Sequence, residues 1–188
     1  MSRPHRIGQR LVAALAAGCA GLALAGTAGA VDLRSWDMKI NDVTKRFIVL
    51  PAFGNQAVLD KETQIVWQRT PGHDNVSFEA AWKSCYQAAT GGRVGWRLPT
   101  LSEFRSLIDP AVTNSYAVGL PAGHPFIGVL PPFGNPGGYY GKYWTSTLKT
   151  NQDTAYRFAA VLSRVTYPTP QHIDTQLPYT WCVRGIEH

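Results

Sequence analysis

The chain has 188 residues, of which 45% are hydrophobic, 16% charged and 11% aromatic, a composition that excludes a disordered chain, a coiled coil and a collagen-like repeat. The formal charge is +6, but Arg3, Arg6 and Arg10 lie in an acid-free leader, and without residues 1–30 the balance is 15 basic against 12 acidic residues, or +3. That balance does not suit nucleic-acid binding, and the 158 residues left have no room for a second large domain.

The chain opens like a cleaved secretory signal over 1–30. Arg3, Arg6 and Arg10 form a positive region, Leu11 to Ala25 an apolar stretch, and Ala28-Gly29-Ala30 a small-residue cleavage box. An uncleaved anchor over Leu11 to Val31 and a lipoprotein modified at Cys19 are the other readings of the same residues. Cleavage leaves a lead-in at 31–45, a domain at 46–188 and no membrane span. It also leaves two cysteines, Cys85 and Cys182, in a compartment that permits disulfides. They form either one bridge across 97 residues or a pair of reactive thiols.

Within the domain, Arg46 to Val49 reads as a strand, and Ala57 to Leu59 with Ile65 to Trp67 reads as a hairpin around Asp60-Lys61-Glu62-Thr63. From Ser77, an N-cap, the apolar residues Phe78, Ala81, Trp82, Cys85, Tyr86 and Ala89 fall on one stripe of an amphipathic helix that stops at Gly91-Gly92, and the stripe places Cys85 on the buried face. Trp96 to Pro99 is extended, and Thr100 with Glu103 makes the capping box of a second helix whose apolar face is Leu101, Phe104, Leu107 and Ile108, closed by Pro110. Residues 111–142 hold 7 Gly and 5 Pro in 32 positions and fit no regular element. Tyr143 to Thr147, Thr154 to Val161, Val165 to Tyr167 and Tyr179 to Val183 then read as strands of one antiparallel sheet. Strands, two helices, a long loop and more strands make an α+β fold.

Val58-Leu59-Asp60, Val66-Trp67, Ala80-Ala81-Trp82, Cys85, Gly91-Gly92-Arg93, Gly95-Trp96-Arg97-Leu98-Pro99-Thr100, Glu103, Leu107-Ile108-Asp109, Tyr143-Trp144-Thr145-Ser146-Thr147 and Cys182-Val183-Arg184-Gly185 resemble the Lcl C-terminal domain family, named after a collagen-like bacterial adhesin. The resemblance runs from about Arg46 to Gly185 and includes no collagen-like stalk. It implies a C-type-lectin-like fold, a disulfide from the first helix to the last strand, an envelope or extracellular location and, in the adhesin, binding of sulfated polysaccharides.

Calcium-dependent lectins place carboxylates in the long loop, because calcium needs several oxygen ligands. Residues 111–142 contain no Asp or Glu, and no lectin-type calcium site or other cofactor is expected. Aromatic faces and donors in and beside the loop, His124, Phe126, Phe133, Tyr139, Tyr140 and Lys142, are the candidates for a sugar surface. The alternative is that these rings fix the loop to the sheet. Lys142, Lys149, Arg157, Arg164 and Arg93 are the candidate cations for an anionic glycan, with an ordinary solvated surface as their alternative. Arg97, between Trp96 and Leu98 and near Glu103 and Asp109, reads instead as a structural ion pair.

Enzyme signatures are absent: His73, His124, His172 and His188 lack metal-ligand spacing, and there is no Cys-x-x-Cys, Gly-x-Ser-x-Gly or Walker loop. Arg97 to Thr100 with Glu103 is also similar to a segment of formylglycine-generating enzymes, which need free thiols at a metal. The expectation is therefore a non-enzymatic binding module whose partner is a glycan or an envelope or surface protein.

Overall fold

The computed structural model describes residues 40–114, 116–132, 141–148, 156–162, 169–172 and 177–185. The expected signal and most of the lead-in lie outside these residues, as does the expected strand Val165 to Tyr167. Mixed helices and antiparallel sheets make the fold α+β, as expected. Its elements in chain order are α1 (Val43–Arg46), β1 (Phe47–Val49), β2 (Ala57–Asp60), β3 (Ile65–Gln68), α2 (Phe78–Gln87), α3 (Leu101–Ser106), β4 (Lys142–Leu148), β5 (Tyr156–Val161), β6 (Thr169–His172) and β7 (Val183–Arg184). No helix among the described residues is long and apolar enough to cross a membrane.

The first strand starts one residue later than its sequence suggests. Asp42 caps α1 by accepting from the Thr44 N–H, and Arg46 ends that helical turn instead of opening β1. The reason is the destination of its side chain. Arg46 makes a buried two-pronged pair with Asp60, its Nε 3.0 Å from Oδ1 and its Nη2 2.9 Å from Oδ2, and Nη2 also donates to the Ser106 carbonyl at 2.6 Å. Glu62 approaches Nε at 3.2 Å. One cation thus ties the entry of the domain to the β2–β3 turn and to the end of α3, with its hydrogen bonds offsetting desolvation.

The strands form two sheets, where the sequence suggested that the later ones share one. Sheet order is β1-β2-β3-β7 in the first and β4-β5-β6 in the second, all pairs antiparallel. The Tyr179 to Val183 segment leaves its expected partners. Tyr179 makes only a parallel bridge to Tyr143, and Val183 pairs with Trp67 on one side and Arg97 on the other. The C-terminal segment consequently joins both sheets.

Strand alternation sends neighbouring residues to opposite faces, and both faces of the first sheet are covered. Val58, Trp67 and Val183 enter a cluster with Phe104 and Leu107 of the α3 region, Leu120 and Phe126 of the long loop, Tyr143 and Trp181. Ala57, with Cys182, enters a second cluster with Ala81 and Cys85 of α2, Trp96, Leu98 and Trp144. Trp181 is the hub of the first cluster, its ring centroid 5.1 to 5.7 Å from those of Trp67, Phe126, Tyr143 and Phe104. The second is crossed by a disulfide between Cys85 and Cys182, which the family resemblance implied and which leaves neither sulfur a free thiol.

The helices start where the sequence places their caps. Ser77 accepts from the Ala80 N–H, and Thr100 and Glu103 form both halves of a capping box. Glu103 also pairs with Arg97 at 2.6 and 2.8 Å, the expected structural ion pair. On α2, however, only part of the predicted stripe is buried. The six apolar residues subtend about 140° at 100° per residue, and the core covers one edge of that arc, taking Ala81 and Cys85 and leaving Trp82 and Tyr86 exposed.

Burial acts to raise the pKa of Glu103, but hydrogen bonds from Arg97 and Thr100 outweigh it and hold the carboxyl below the ordinary 4.5. A depressed carboxyl pKa contributes stability that is complete above the unfolded-state value and is lost as pH falls through the folded-state value. Urea unfolding of wild type is expected to lose stability between about pH 5 and pH 2, with a shallower loss in Glu103→Gln; equal slopes contradict the pair's role. Replacing both cysteines by serine is expected to cost about 2–4 kcal/mol in the same assay, and an unchanged midpoint contradicts a stabilising bridge.

Candidate functional site

Of the residues expected to form a sugar surface, His124, Phe126 and Lys142 are among the described residues. Phe126 is buried in the core, edge-on to Phe47 at 5.3 Å and to Trp181 at 5.2 Å. It therefore fixes the loop to the sheet, the alternative role that its sequence context left open. His124 packs against Phe126 at 5.8 Å, and burial lowers its pKa, which favours the neutral ring. Phe133, Tyr139, Tyr140, Lys149 and Arg164 lie outside the described residues.

The described cations are dispersed. Lys142 pairs with Val161 at one end of the β4–β5 ladder and Arg157 with Leu148 at the other, their Cα atoms roughly 14 Å apart at strand spacing. Lys142 is partly buried, with its pKa lowered by that burial. The Arg157 guanidinium lies 4.8 Å from the centre of the Phe78 ring, and that of Arg93 lies 5.8 Å from Phe53. Both cations sit on aromatic faces that belong to the body of the fold.

A cleft of about 280 Å³ instead opens at the end of β3, lined by Asn55, Gln56, Gln68, Arg69, Thr70, Thr90 and Ile127. Its floor is made by hydrogen bonds that a strand terminus leaves available. Gln68 exchanges backbone bonds with the C-terminal segment: its N–H donates to the Cys182 carbonyl at 3.0 Å and its carbonyl accepts from Trp181 Nε1 at 2.8 Å. The Gln68 side chain accepts from the Cys182 N–H at 3.1 Å and donates to Thr90 Oγ1 at 2.8 Å. Every polar atom of this residue is thereby used, and its place is set by the core behind it.

Arg69 forms the next link. Its N–H donates to the Gln56 carbonyl and its own carbonyl accepts from the Ile127 N–H, both at 2.9 Å. Its guanidinium Nε donates to the Pro125 carbonyl at 3.0 Å, and Nη1 lies 3.4 Å from the Asn55 carbonyl. The guanidinium is thus oriented by neutral carbonyls, and among the described residues no carboxylate lines the cleft beside it. A cation held this way keeps its attraction for an anion.

The walls are turns of restricted geometry. Asn55 adopts a left-handed conformation at φ 61° after Gly54. Gln56 Oε1 accepts from the Gly91 N–H at 2.9 Å, joining the two walls. Gly91 has φ 62°, and a Cβ there would lie 2.5 Å from the Phe53 backbone, so only glycine fits. The long loop closes the remaining side, clasped where His73 Nε2 meets the Gly128 carbonyl at 2.6 Å. Ile127 contributes a half-exposed apolar side chain. Chemically, the cleft offers amides, hydroxyls, one cation and one apolar contact, a set suited to a polar ligand held by oriented hydrogen bonds.

Sequence reasoning missed this cleft because its residues come from four separate stretches and carry no motif. The Gly91-Gly92 signal was read as a helix stop, but α2 ends earlier, at Gln87 with Ala88 as its C-cap, and the glycines lie in a separate turn, Thr90–Gly92, whose packing against Phe53 makes it a cleft wall. No group of three or more His, Cys, Asp or Glu among the described residues is arranged to hold a metal ion.

The family model described as the Lcl C-terminal domain matches residues 56–184, a span that holds both cysteines and every cleft residue except Asn55. No curated protein and no solved structure matches the chain. Phe126→Ala is expected to lower unfolding stability by about 3–5 kcal/mol in a urea titration; wild-type stability in that variant contradicts the packing role of the ring.

Proposed function

The chain belongs to the Lcl C-terminal domain family of bacterial surface-associated domains, and from that premise we propose that it is an exported, C-type-lectin-like binding module that recognises a glycan without calcium and performs no catalysis. The observation that carries this reading is the cleft at the end of β3, whose lining among the described residues is neutral-polar apart from Arg69 and Ile127. Sugars present hydroxyls that donate and accept at once, and amides and hydroxyls answer both roles. Calcium coordination draws on carboxylate oxygens, and the cleft lining among the described residues offers none.

Arg69 gives the reading a direction. A guanidinium anchored to the Pro125 carbonyl, with no acid among the described lining residues, favours a sugar carrying a carboxylate or sulfate. The mature charge balance is modest, so the attraction is local to the cleft and not a field spread over the whole surface. Export is supported by the Cys85–Cys182 disulfide, since such bonds persist in oxidising compartments.

The test is binding of the purified protein to an array of neutral and sulfated polysaccharides, with and without a chelator and at two salt concentrations. The expected result is chelator-insensitive binding that weakens with salt, reduced about tenfold or more in Arg69→Ala by the loss of a charge-assisted hydrogen bond. A blank array, or binding that requires calcium, contradicts the reading, and a blank array points instead to a protein partner.

A further inference from the structure

Two large aromatic side chains stand outside the core on one flank of α2. Trp82 is 51% and Tyr86 69% exposed. Their rings are parallel to within 7°, with centroids 5.4 Å apart. Among the described tryptophans the contrast is sharp, because Trp67, Trp96, Trp144 and Trp181 are buried. The i, i+4 spacing places both rings on one line of the helix with Phe78, which is anchored against Trp144 at 5.5 Å. Stacking fixes each ring against the other, so the pair presents a preformed surface without being covered by the fold.

We propose that Trp82 and Tyr86 form an aromatic subsite for the C–H face of a pyranose, so that the ligand is an extended glycan chain that occupies the cleft and continues onto α2. This inference rests on the reading of the cleft as a glycan site. The size of the surface selects the occupant. Half to two-thirds of two aromatic side chains of roughly 150–250 Å² each leaves on the order of 200–300 Å², about a third of the ~800 Å² that each partner gives to a stable protein interface. That area suits a sugar unit and is too small to hold a folded protein.

Position supports continuity with the cleft. Tyr86 lies in the last turn of α2, and Thr90 of the cleft follows four residues later, so their Cα atoms are at most about 14 Å apart. A chain of a few sugar residues bridges that distance. Hydrogen bonds in the cleft then supply orientation, while the aromatic pair supplies apolar contact for a neighbouring unit and so raises affinity with chain length.

The experiment titrates the full exported protein with two probes, a heparin-derived hexasaccharide and chitohexaose, following calorimetry and tryptophan emission. Four proteins are compared: wild type, Trp82→Ala/Tyr86→Ala, Trp82→Phe/Tyr86→Phe and Arg69→Ala. Circular dichroism confirms that each is folded. The expected result is that one probe binds wild type with a change in tryptophan emission, that the alanine pair weakens its affinity at least tenfold, and that the phenylalanine pair restores it to within about threefold, since stacking needs a ring and not the indole N–H. Alanine variants that bind like wild type, while Arg69→Ala loses binding, overturn the aromatic subsite and leave the cleft reading standing. Phenylalanine variants as weak as the alanine pair also overturn it. Failure of wild type to bind either probe overturns the subsite together with the glycan reading on which it rests.

Discussion

Everything in this domain depends on where residues 177–185 are held. Trp181 fills the centre of one core cluster and Cys182, the next residue, is bonded through the second cluster to α2. Successive side chains of an extended segment point to opposite faces, and this pair uses that alternation to engage both layers flanking the first sheet. Backbone pairing adds to it: Val183 joins β3 to the Arg97 segment, and Tyr179 joins β4. A segment that closes both clusters brings long-range contacts together, and elements as short as α1 and α3, each under two turns, need such tertiary packing to be stable.

The cleft inherits its geometry from the same segment. Gln68 is bonded to Trp181 and Cys182 by its backbone and side chain, leaving its amide nitrogen for Thr90. Arg69 follows directly and meets the long loop at Pro125 and Ile127. Phe126, between those two residues, enters the core beside Trp181. The loop is thus pinned by an alternation of its own, with one side chain buried and its neighbours' backbone groups turned to Arg69. A binding surface supported this way is preorganised, and preorganisation reduces what a ligand must spend in ordering it.

Much of the fold was legible in the sequence, and the reasons are local. Ser77 and the Thr100–Glu103 capping box mark helix starts because they satisfy backbone donors that only a helix terminus leaves open. The β2–β3 hairpin shows itself by composition on either side of a polar turn. What failed was decided by tertiary partners. Arg46 belongs to a helical turn because Asp60 and Ser106 claim its side chain, and periodicity alone cannot see either partner. Trp82 and Tyr86 share the apolar arc of α2 with Cys85, and which part of a wide arc meets the core depends on where the sheet lies. The β7 pairing was hidden for the same reason, since two residues carry no signal of their partner. Of the candidate site, the sequence located the loop and the absence of acid within it. It gave no sign of the cleft, because Asn55, Gln68 and Thr90 look like ordinary polar residues until the chain brings them to one rim.

The proposed binding site lies at the junction of β3 with the long loop, away from the β4–β5 ladder that carries Lys142 and Arg157. The most direct measurement of that claim is a heteronuclear NMR titration of the labelled protein with a sulfated oligosaccharide. The account predicts amide shift changes concentrated at Gln56, Gln68, Arg69, Thr70, Thr90 and Ile127, the residues whose backbones build the cleft. Changes confined to Lys142, Arg157 and their strand partners, with the cleft amides unmoved, contradict it.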